Sequence, residues 1–374
     1  MSQPENGHRA APGTVVVVGT GLIGTSIALA VRARGATVWL SDADDSAARL
    51  AADLGAGQPL PASGVPPGPA DVAVLAVPPA AVGPALAHAQ RRGLARCYTD
   101  VASVKELPLE RARELGCDLT TFVPGHPMSG RERSGPAAAR ADLFAGRTWI
   151  LCPAPQTAAS CVAAVTELAL ACEARPITMS AEQHDQWVAL ISHVPHLVAA
   201  AVAAQCLEMP QGALGLAGPG LRDVTRIAGS DPGLWAEILS ANATRVRSGI
   251  LAVIGRLQAA AEALGGVGDG DLESVKHLLA WLEAGRDGVA RLPGKQGGPA
   301  AGYRAVQVVI PDKPGELARL FTVAGAAGIN IEDVRIEHSP GLPVGVAELS
   351  VRPEQADALS AALAEAGWPV TSPP

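Results

Sequence analysis

The sequence has few aromatic and few charged residues. Across 374 residues, aromatic side chains make up 3% and charged side chains 17%, which is below the usual quarter. The net charge is −7 and no long basic stripe occurs, so we do not expect a nucleic-acid partner. Hydrophobic residues reach 48%, with many alanines, which indicates a helix-rich protein with sizeable cores.

Signals for secretion or membrane insertion are also missing. Residues 1–12, MSQPENGHRAAP, contain no apolar signal-peptide core, and we interpret them as a disordered tail. No uninterrupted apolar run is long enough for a membrane helix, so we expect no membrane association. The six cysteines form no CxxC pair and no cluster with histidine, which predicts reduced thiols, no metal site and a cytoplasmic protein.

Three regions follow the tail. Residues 13–176 alternate strand-like runs, such as TVVVVG, DVAVLAVPP and RTWILC, with helical stretches, which predicts a doubly wound parallel α/β sheet of the Rossmann type. Residues 177–292 predict three long helices, at residues 179–208, 234–266 and 271–292, and therefore an all-helical substrate or dimerisation domain. Residues 293–302, PGKQGGPAAG, form a predicted linker. Residues 303–374 follow the β-α-β-β-α-β order of a ferredoxin-like unit.

A glycine motif predicts a dinucleotide site. VVVVGTGLIGTS places Gly19, Gly21 and Gly24 in G-x-G-x-x-G spacing between a strand and a helix. These glycines allow a tight turn, close approach of a pyrophosphate and close helix packing, and the helix N-terminus supplies amides. Asp42 ends the second strand, where a carboxylate binds a ribose diol and repels a 2′-phosphate, so we expect NAD rather than NADP. The alternative is an ordinary glycine turn followed by a helix-capping aspartate. The remaining expected cofactor contacts are Leu22, Ile23, Val77 and Pro78.

One histidine is the candidate catalytic base. GHPMSG follows the predicted strand TTFVP, and ligands of such sheets bind at the carboxyl ends of the strands. A neutral His126 beside the nicotinamide can take a proton from a hydroxyl while the same carbon loses hydride. Ser103, after the preceding strand, could bond the imidazole or the substrate hydroxyl, and could also cap the next helix in a capping box with Glu106. A strand-end histidine that satisfies backbone groups is the alternative for His126.

The predicted helical domain carries a polar face in ISHVPHL. Ser192, His193 and His196 lie within about 100° of arc, and Pro195 is expected to bend the helix. This face suits an anionic, hydroxylated ligand, although histidines satisfied at a helix interface would produce the same pattern. His184 lies nearly half a turn from His193, so we do not expect both to contact a ligand.

Further along, RDVTRIAGSDPGLW contains a candidate anion anchor. The guanidinium of Arg226 can grip a carboxylate in two places, and we prefer it to Arg222. A helix pair between Arg226 and Asp223 is the alternative. Trp235 ends the same segment.

Taken in order, GTGLIGTS, the strand ending in Asp42, DVASVK, GHPMSGRERSG, HDQWVALISHVPH and RDVTRIAGSDPGLW resemble the prephenate/arogenate dehydrogenase family of tyrosine biosynthesis. The resemblance implies an oxidative decarboxylation in which hydride passes from C4 of a cyclohexadienol to NAD. It implies that His126, assisted by Ser103, removes the hydroxyl proton, that the ring carboxylate leaves as CO₂, and that Arg226 holds a substrate carboxylate. It also implies a homodimer built from the helical domain and a pocket lined by Ser192, His193 and His196, with Trp235 packed nearby.

The choice of substrate stays open within this resemblance. We expect prephenate as the substrate. Arogenate is the alternative, because Asp223 could pair with the ammonium of arogenate or with Arg226. Arg131 and Glu132, in the loop after GHPMSG, are further candidate site residues without an assigned role. A β-hydroxyacid dehydrogenase is disfavoured. Those enzymes rely on a lysine in the helical domain, and no lysine occurs here between Lys105 and Lys276. A non-catalytic sensor of NAD or amino acids is a rival of a different class, and the intact candidate catalytic residues argue against it.

The tail VVIPDKPGELARLFTVAGAAGINIEDVRI resembles an ACT domain, a small regulatory module that binds amino acids. The resemblance implies an effector site at Asp312, Pro314, Gly315 and Asn330. Tyrosine is the natural hypothesis for a feedback inhibitor. The alternative is a dimerisation module without a ligand.

Overall fold

The computed structural model describes residues 12–61, 63–129, 135–292, 302–338 and 343–371. Residues 1–11 of the predicted tail, residues 293–301 of the predicted linker, and Arg131 and Glu132 lie outside the described residues. The chain forms two compact units, Met1–Ile254 and Gly255–Pro374.

The first unit contains a six-stranded parallel sheet in the order β3-β2-β1-β4-β5-β6, which confirms the predicted Rossmann-type sheet. Its strands are β1 (Thr14–Val18), β2 (Thr37–Ser41), β3 (Gln58–Pro59), β4 (Ala70–Leu75), β5 (Ala95–Asp100) and β6 (Phe122–Val123). The helices that connect or flank them are α1 (Leu22–Ala33), α2 (Asp45–Asp53), α3 (Pro79–Arg91), α4 (Glu106–Glu114) and α5 (Ala159–Ala171).

Both faces of this sheet are buried, which explains the continuous apolar runs in the sequence. Successive side chains of a strand point to opposite faces. Val15 and Val17 of β1 accordingly join a core with α1, α2 and α5, while Val16 joins a second core with α3 and α4. Helices on both faces leave only the strand ends accessible, so the loops at the carboxyl edge are the natural place for a site.

A second sheet corrects one expectation. The strand predicted from RTWILC does not belong to the parallel sheet but is β8 (Thr148–Leu151), between β7 (Gly125–Pro127) and β9 (Arg175–Thr178). β7 pairs antiparallel with β8, and β9 pairs parallel with it. Pro124 separates β6 from β7, and a proline has no N–H to continue a ladder, so the chain leaves the first sheet there.

The helical segment differs from the three predicted helices in two places. Its helices up to the end of the first unit are α6 (Ala181–Val188), α7 (Val194–Gln205), α8 (Gln211–Leu214), α9 (Pro219–Thr225), α10 (Pro232–Ala241) and α11 (Ala243–Gly268), the last of which crosses the division at Ile254. A π-turn over Ala189–His193 joins α6 to α7 directly before Pro195, where the sequence predicts a bend. The second predicted helix is divided at Asn242, whose side-chain amide donates to the carbonyl of Asp185 at 2.7 Å.

Two helices reach the length and mean hydropathy of a membrane span, although the sequence has no uninterrupted apolar run of that length. They are Ala181–Gln205, which comprises α6, the π-turn and α7, and Ala243–Gly268. The first buries His184, Asp185, His193 and His196. Buried polar side chains such as His184 and Asp185, which hydrogen-bond to each other, are typical of a protein interior.

The expectation that all six cysteines are reduced is wrong for two of them. Cys97 on β5 and Cys161 on α5 form a disulfide with a Cα–Cα distance of 5.3 Å. Both side chains point into the same core, because α5 covers the face of the sheet to which Cys97 is directed. A sequence separation of 64 residues gave no local signal for this pair. Cys117, Cys152, Cys172 and Cys206 are free.

In the second unit, the elements that follow the helix Leu272–Ala290 have the β-α-β-β-α-β order predicted for residues 303–374. The unit contains α12 (Leu272–Ala290), β10 (Arg304–Pro311), α13 (Glu316–Ala326), β11 (Asp333–His338), β12 (Val344–Val351), α14 (Pro353–Glu365) and β13 (Val370–Thr371). The strands form an antiparallel sheet in the order β11-β12-β10-β13. Alternate residues of β12 are buried against Leu320 of α13 and Leu359 of α14, as in a sheet with helices on one face.

Candidate active site

The predicted cofactor and catalytic residues of the first unit follow the carboxyl ends of neighbouring parallel strands. The glycine motif follows β1, Asp42 follows β2, Val77 and Pro78 follow β4, and Ser103 follows β5. His126 lies in β7, just beyond the end of β6. The order of the strands places all of these segments along one edge of the sheet, with β1 at the point where the strand order reverses.

The glycine turn fits a dinucleotide. A Cβ on Gly19 would lie 2.2 Å from the carbonyl oxygen of Ala76, and one on Gly24 would lie 1.9 Å from that of Gly19. Gly19 also has a φ of +95°. A Cβ on Gly21 would meet no protein atom within 4 Å, so packing does not require a glycine there. Gly21 caps α1 without a side-chain hydrogen bond, and the first turn has no acidic residue, which leaves the helix amides suited to a phosphate.

Asp42 is held against this turn. Its Oδ2 accepts hydrogen bonds from the Thr20 N–H at 2.5 Å and the Thr20 hydroxyl at 2.8 Å, and its Oδ1 accepts from the Asp44 N–H at 3.0 Å. The carboxylate is therefore fixed beside the glycine motif, in the position where such folds bind a ribose diol. Leu22 is buried and Ile23 half-buried at the start of α1. After β4, Val77 is half-buried and Pro78 is exposed.

A chain of three side chains ends at His126. The Nδ1 atom of His126 lies 2.8 Å from Nε2 of His184, and the Nδ1 atom of His184 lies 2.7 Å from Oδ1 of Asp185. The two rings are nearly perpendicular, with centroids 5.1 Å apart. Nε2 of His126 is consequently the ring nitrogen left for a ligand. His184 and Asp185 are both buried at the start of the helical segment.

The same aspartate closes the N-terminus of α4. Asp185 Oδ1 accepts from the Lys105 N–H at 2.8 Å, and its Oδ2 accepts from the Glu106 N–H at 2.9 Å. The predicted capping role of Ser103 is therefore wrong: α4 begins at Glu106 with Lys105 at the cap position and no side-chain bond from its own segment. Ser103 instead occupies a half-buried bend before the helix.

A buried ion pair supports the strand that carries His126. The ammonium of Lys105 contacts Asp100 Oδ2 and the carbonyl oxygen of Gly125. Both charged side chains are 0% exposed. Asp100 also accepts from the backbone N–H groups of Ala102 at 3.0 Å and Gly125 at 3.1 Å. These bonds fix the backbone immediately before the candidate base.

The electrostatic environment keeps the histidines neutral. Burial lowers the pKa of His126 well below its ordinary value of 6.5, and the nearby His184, Lys105 and His193 lower it further. Burial also lowers the pKa of His184, although the hydrogen bond to Asp185 opposes this. The pKa of His193 falls to about 4, mainly through burial. Asp185 stays ionised because its three hydrogen bonds lower its pKa against the effect of burial. A neutral imidazole next to a hydride acceptor is the form that can remove a proton.

The polar face predicted in ISHVPHL is present. His193 and His196 are buried and Ser192 is half-buried. Trp235 stacks on His196 with centroids 3.5 Å apart and planes 10° apart, and it meets His193 edge-on at 6.1 Å. Nδ1 of His196 is buried without a hydrogen-bond partner in the described part of the chain, so it can serve a ligand.

The predicted anion anchor lies at the end of α9. Asp223 is in this helix, and Arg226 begins the 3₁₀ turn Arg226–Gly229 that follows it. Arg222, Asp223 and Arg226 are all exposed.

The sequence analysis disfavoured one supporting residue of this site, His184, and gave no site role to four others: Asp100, Lys105, Asp185 and Asn242. Two signals were available: an acid at the end of a buried strand, followed by the lysine of DVASVK, and the His-Asp pair in EQHDQW. Among the described residues, no group of three or more His, Cys, Asp or Glu is arranged to hold a metal ion.

The second unit has a small cavity at the turn between β10 and α13. Gly315 caps α13 in a left-handed conformation with a φ of +91°. Asp312 lines the cavity, and Pro314 and Gly315 complete the adjoining turn, whereas Asn330 is not among the lining residues and donates to Glu332 at 2.8 Å. The lining residues are Ile310, Pro311, Asp312, Lys313, Glu316, Leu317, Ile336 and Gly345.

The fold and the first-unit site together define a dinucleotide-dependent dehydrogenase with a helical domain. Residues 27–178 match the family model of the prephenate dehydrogenase nucleotide-binding domain, and residues 180–283 match that of the prephenate dehydrogenase dimerization domain. The chain belongs to the prephenate dehydrogenase family. Both long apolar helices begin within the dimerization match, which supplies an explanation for them that does not involve a membrane.

Individual relatives agree with this assignment. The chain is 41% identical over 364 residues to the "probable prephenate dehydrogenase NovF" of Streptomyces niveus, covering 96% of this chain and 99% of that protein. It is 30% identical over 336 residues to the prephenate dehydrogenase of Bacillus subtilis, covering 86% and 88%. A crystal structure of prephenate dehydrogenase from A. aeolicus with hydroxyphenyl propionate and NAD+ covers 74% of this chain and 98% of its own, at 27% identity and a TM-score of 0.63. Synechocystis arogenate dehydrogenase covers 74% and 99% at 26% identity, with a TM-score of 0.60.

Proposed function

We propose that the chain catalyses the NAD-dependent oxidative decarboxylation of prephenate to 4-hydroxyphenylpyruvate. The observation that carries the proposal is His126 at the carboxyl edge of the dinucleotide-binding sheet, with Nδ1 engaged by His184 and Nε2 left for a substrate. NAD, when bound at the glycine turn and Asp42, supplies the hydride acceptor. The A. aeolicus relative binds NAD+ together with an aromatic hydroxy acid, which supports the same pairing here.

His126 is the base in this proposal. Its Nε2 takes the proton of the ring hydroxyl at C4 as hydride leaves that carbon, and the ring carboxylate departs as CO₂, which makes the ring aromatic. Ser103 hydrogen-bonds the same hydroxyl or the imidazole. A base held neutral by burial is ready to accept this proton without first losing one of its own.

The anionic groups of the substrate require separate recognition. Arg226 holds a carboxylate through its guanidinium. Ser192, His193 and His196 line the pocket for the side chain, with Trp235 as the flat surface against His196. The unpartnered Nδ1 of His196 supports this role, because a ligand would satisfy it.

Arogenate is the second candidate substrate, because the structurally similar Synechocystis protein is an arogenate dehydrogenase. Arogenate carries an ammonium group where prephenate carries a keto group. We assign Asp223, which lies three residues before Arg226, as the ion-pair partner of that ammonium. An Asp223→Asn variant should then lower kcat/KM for arogenate more than for prephenate, and an unchanged ratio would remove Asp223 as the discriminating residue.

Residues 303–374 act in this proposal as an ACT-type regulatory domain with tyrosine as feedback inhibitor. The cavity beside Asp312 and the Gly315 turn supports an amino-acid site, since the turn offers both a carboxylate and a free helix N-terminus. Inhibition of the wild type by tyrosine, lost in an Asp312→Ala variant, is the expected result. We also propose that the enzyme is a cytoplasmic homodimer assembled through its dimerization domain.

The direct test is NADH formation by the purified protein with prephenate and with arogenate, measured side by side. We expect turnover with prephenate, and a His126→Asn variant should lose roughly 10²–10⁴-fold in kcat while its NAD affinity stays nearly constant. Absence of NADH with both substrates would favour the rival hypothesis, a sensor without catalysis.

A further inference from the structure

His184 and Asp185 are connected to the candidate base but have no part in the reaction as described above. Both are buried, and they link the start of the helical segment to β7 and α4 of the nucleotide-binding part. Each of the hydrogen bonds that connect Asp185, His184 and His126 has one donor and one acceptor. The protonation state of Asp185 therefore determines which nitrogen of each imidazole carries a proton.

The direction follows from the carboxylate. Asp185 is an acceptor only, since it already accepts from the Lys105 and Glu106 N–H groups. His184 must therefore carry its proton on Nδ1 and donate it to Asp185 Oδ1. A neutral His184 then presents a lone pair at Nε2. His126 must donate its Nδ1–H to that lone pair, which leaves Nε2 of His126 unprotonated.

We propose that Asp185 and His184 are positioning residues that hold His126 in the one tautomer able to act as a base. The inference rests on the proposed function, in which Nε2 of His126 receives the substrate hydroxyl proton. When that proton arrives, His126 becomes an imidazolium with a proton on each nitrogen. The lone pair of His184, backed by the Asp185 carboxylate, then stabilises the new charge. No proton has to leave the hydrogen-bonded group of Asp185, His184 and His126 during this step.

Asp185 also connects the two parts of the first unit, which are the nucleotide-binding part and the helical segment that begins at α6. The tautomer of His126 therefore depends on how these two parts pack. Its side chain caps α4, and its carbonyl accepts from Asn242, which separates α10 from α11. Arg245 of α11 forms an ion pair with Glu106 of α4 at 2.6 Å. The orientation of His184 is thus set by contacts from both parts rather than by its own helix alone.

Two substitutions at His184 separate positioning from packing. His184→Gln keeps an acceptor, because its Oε1 can reach the place of the imidazole Nε2. His184→Leu fills similar space but offers no acceptor. We expect the leucine variant to lose roughly 10²-fold or more in kcat, with KM and NAD affinity little changed, and the glutamine variant to recover at least tenfold of that loss. A purely structural role predicts equal losses in both variants, in step with their melting temperatures, and this result would overturn the proposal.

The tautomers themselves can be read without turnover. Long-range ¹⁵N–¹H correlation spectra of histidine-labelled full-length enzyme distinguish a protonated from an unprotonated ring nitrogen. Signals are assigned with the His126→Asn and His184→Gln variants. We expect Nδ1–H forms for both His126 and His184 near neutral pH, and a mixture of forms for His126 in the leucine variant. An Nε2–H form of His126 in the wild type would refute the proposal. Nδ1–H forms in a protein inactive on both substrates would refute the proposed function instead.

Discussion

Replacing Lys105 by methionine should destabilise the first unit severely. Lys105 and Asp100 are 0% exposed, and among the described residues the ammonium of Lys105 is the only cation that forms an ion pair with that carboxylate. Its removal leaves a buried anion with two backbone N–H partners, from Ala102 and Gly125. Breaking a buried pair in this way costs about 3–5 kcal/mol. Since whole domains are stable by only about 5–15 kcal/mol, the variant should unfold at a much lower urea concentration.

A second substitution distinguishes the lost charge from the lost packing. Lys105→Met combined with Asp100→Asn removes both charges and keeps one side-chain acceptor, so we expect the double variant to recover at least about half of the lost free energy. Lys276→Met is the matched control, because Lys276 forms an exposed ion pair with Glu273, and it should cost about 1 kcal/mol or less.

The measurement is urea unfolding followed by circular dichroism and tryptophan fluorescence. A cost of less than about 1 kcal/mol for Lys105→Met, or a double variant no more stable than the single one, would contradict a stabilising role for the buried ion pair. Any folded fraction of Lys105→Met should also show a lower kcat, because the lysine holds the carbonyl of Gly125 directly before the proposed base, His126.

Three further predictions concern pH, substrate binding and the disulfide. Because the pKa of His126 is held well below 6.5, the base stays neutral on acidification, so the acid limb of kcat/KM should have its midpoint below pH 6.5; a midpoint at or above that value would contradict the assigned environment. Arg226→Ala should weaken substrate binding by about 2–5 kcal/mol in a KM or calorimetric measurement, with little change in melting temperature, whereas global unfolding would point to a structural ion pair. In denaturant without reductant, four thiols should react with a thiol reagent and six after reduction, because Cys97 and Cys161 are paired; six from the start would restore the sequence-based expectation.

Local pattern was sufficient for the parts of the protein that local physics controls. The glycine spacing predicted the turn, because only residues without a Cβ fit at Gly19 and Gly24. Alternating β-branched and helical runs predicted the parallel sheet, because both of its faces are covered. The β-α-β-β-α-β order of residues 303–374 was predicted because each strand and helix has its own local periodicity. Proline marked both the exit from the first sheet and the interruption before α7.

Long-range contacts decided the rest. The capping of α4 could not be predicted, since its partner Asp185 is 80 residues away and a sequence shows only the nearer candidate, Ser103. The disulfide joins residues 64 positions apart, and no short spacing announces it. His184 was disfavoured as a ligand contact because of its angle from His193 on a helix. A helical wheel describes one helix only, so it could not predict the contact between His184 and His126, which lies in a strand.

The sequence by itself determined which residue types stand at the strand ends: glycines, an aspartate and a histidine, whose proposed partners are a phosphate, a ribose and a proton. Those choices depend on backbone sterics and on the chemistry of single side chains. Only the tertiary structure decided which nitrogen of His126 contacts His184 and which is left for the proposed substrate. That property belongs to a hydrogen-bond chain through His184 to Asp185, and its direction exists only once distant segments have packed together.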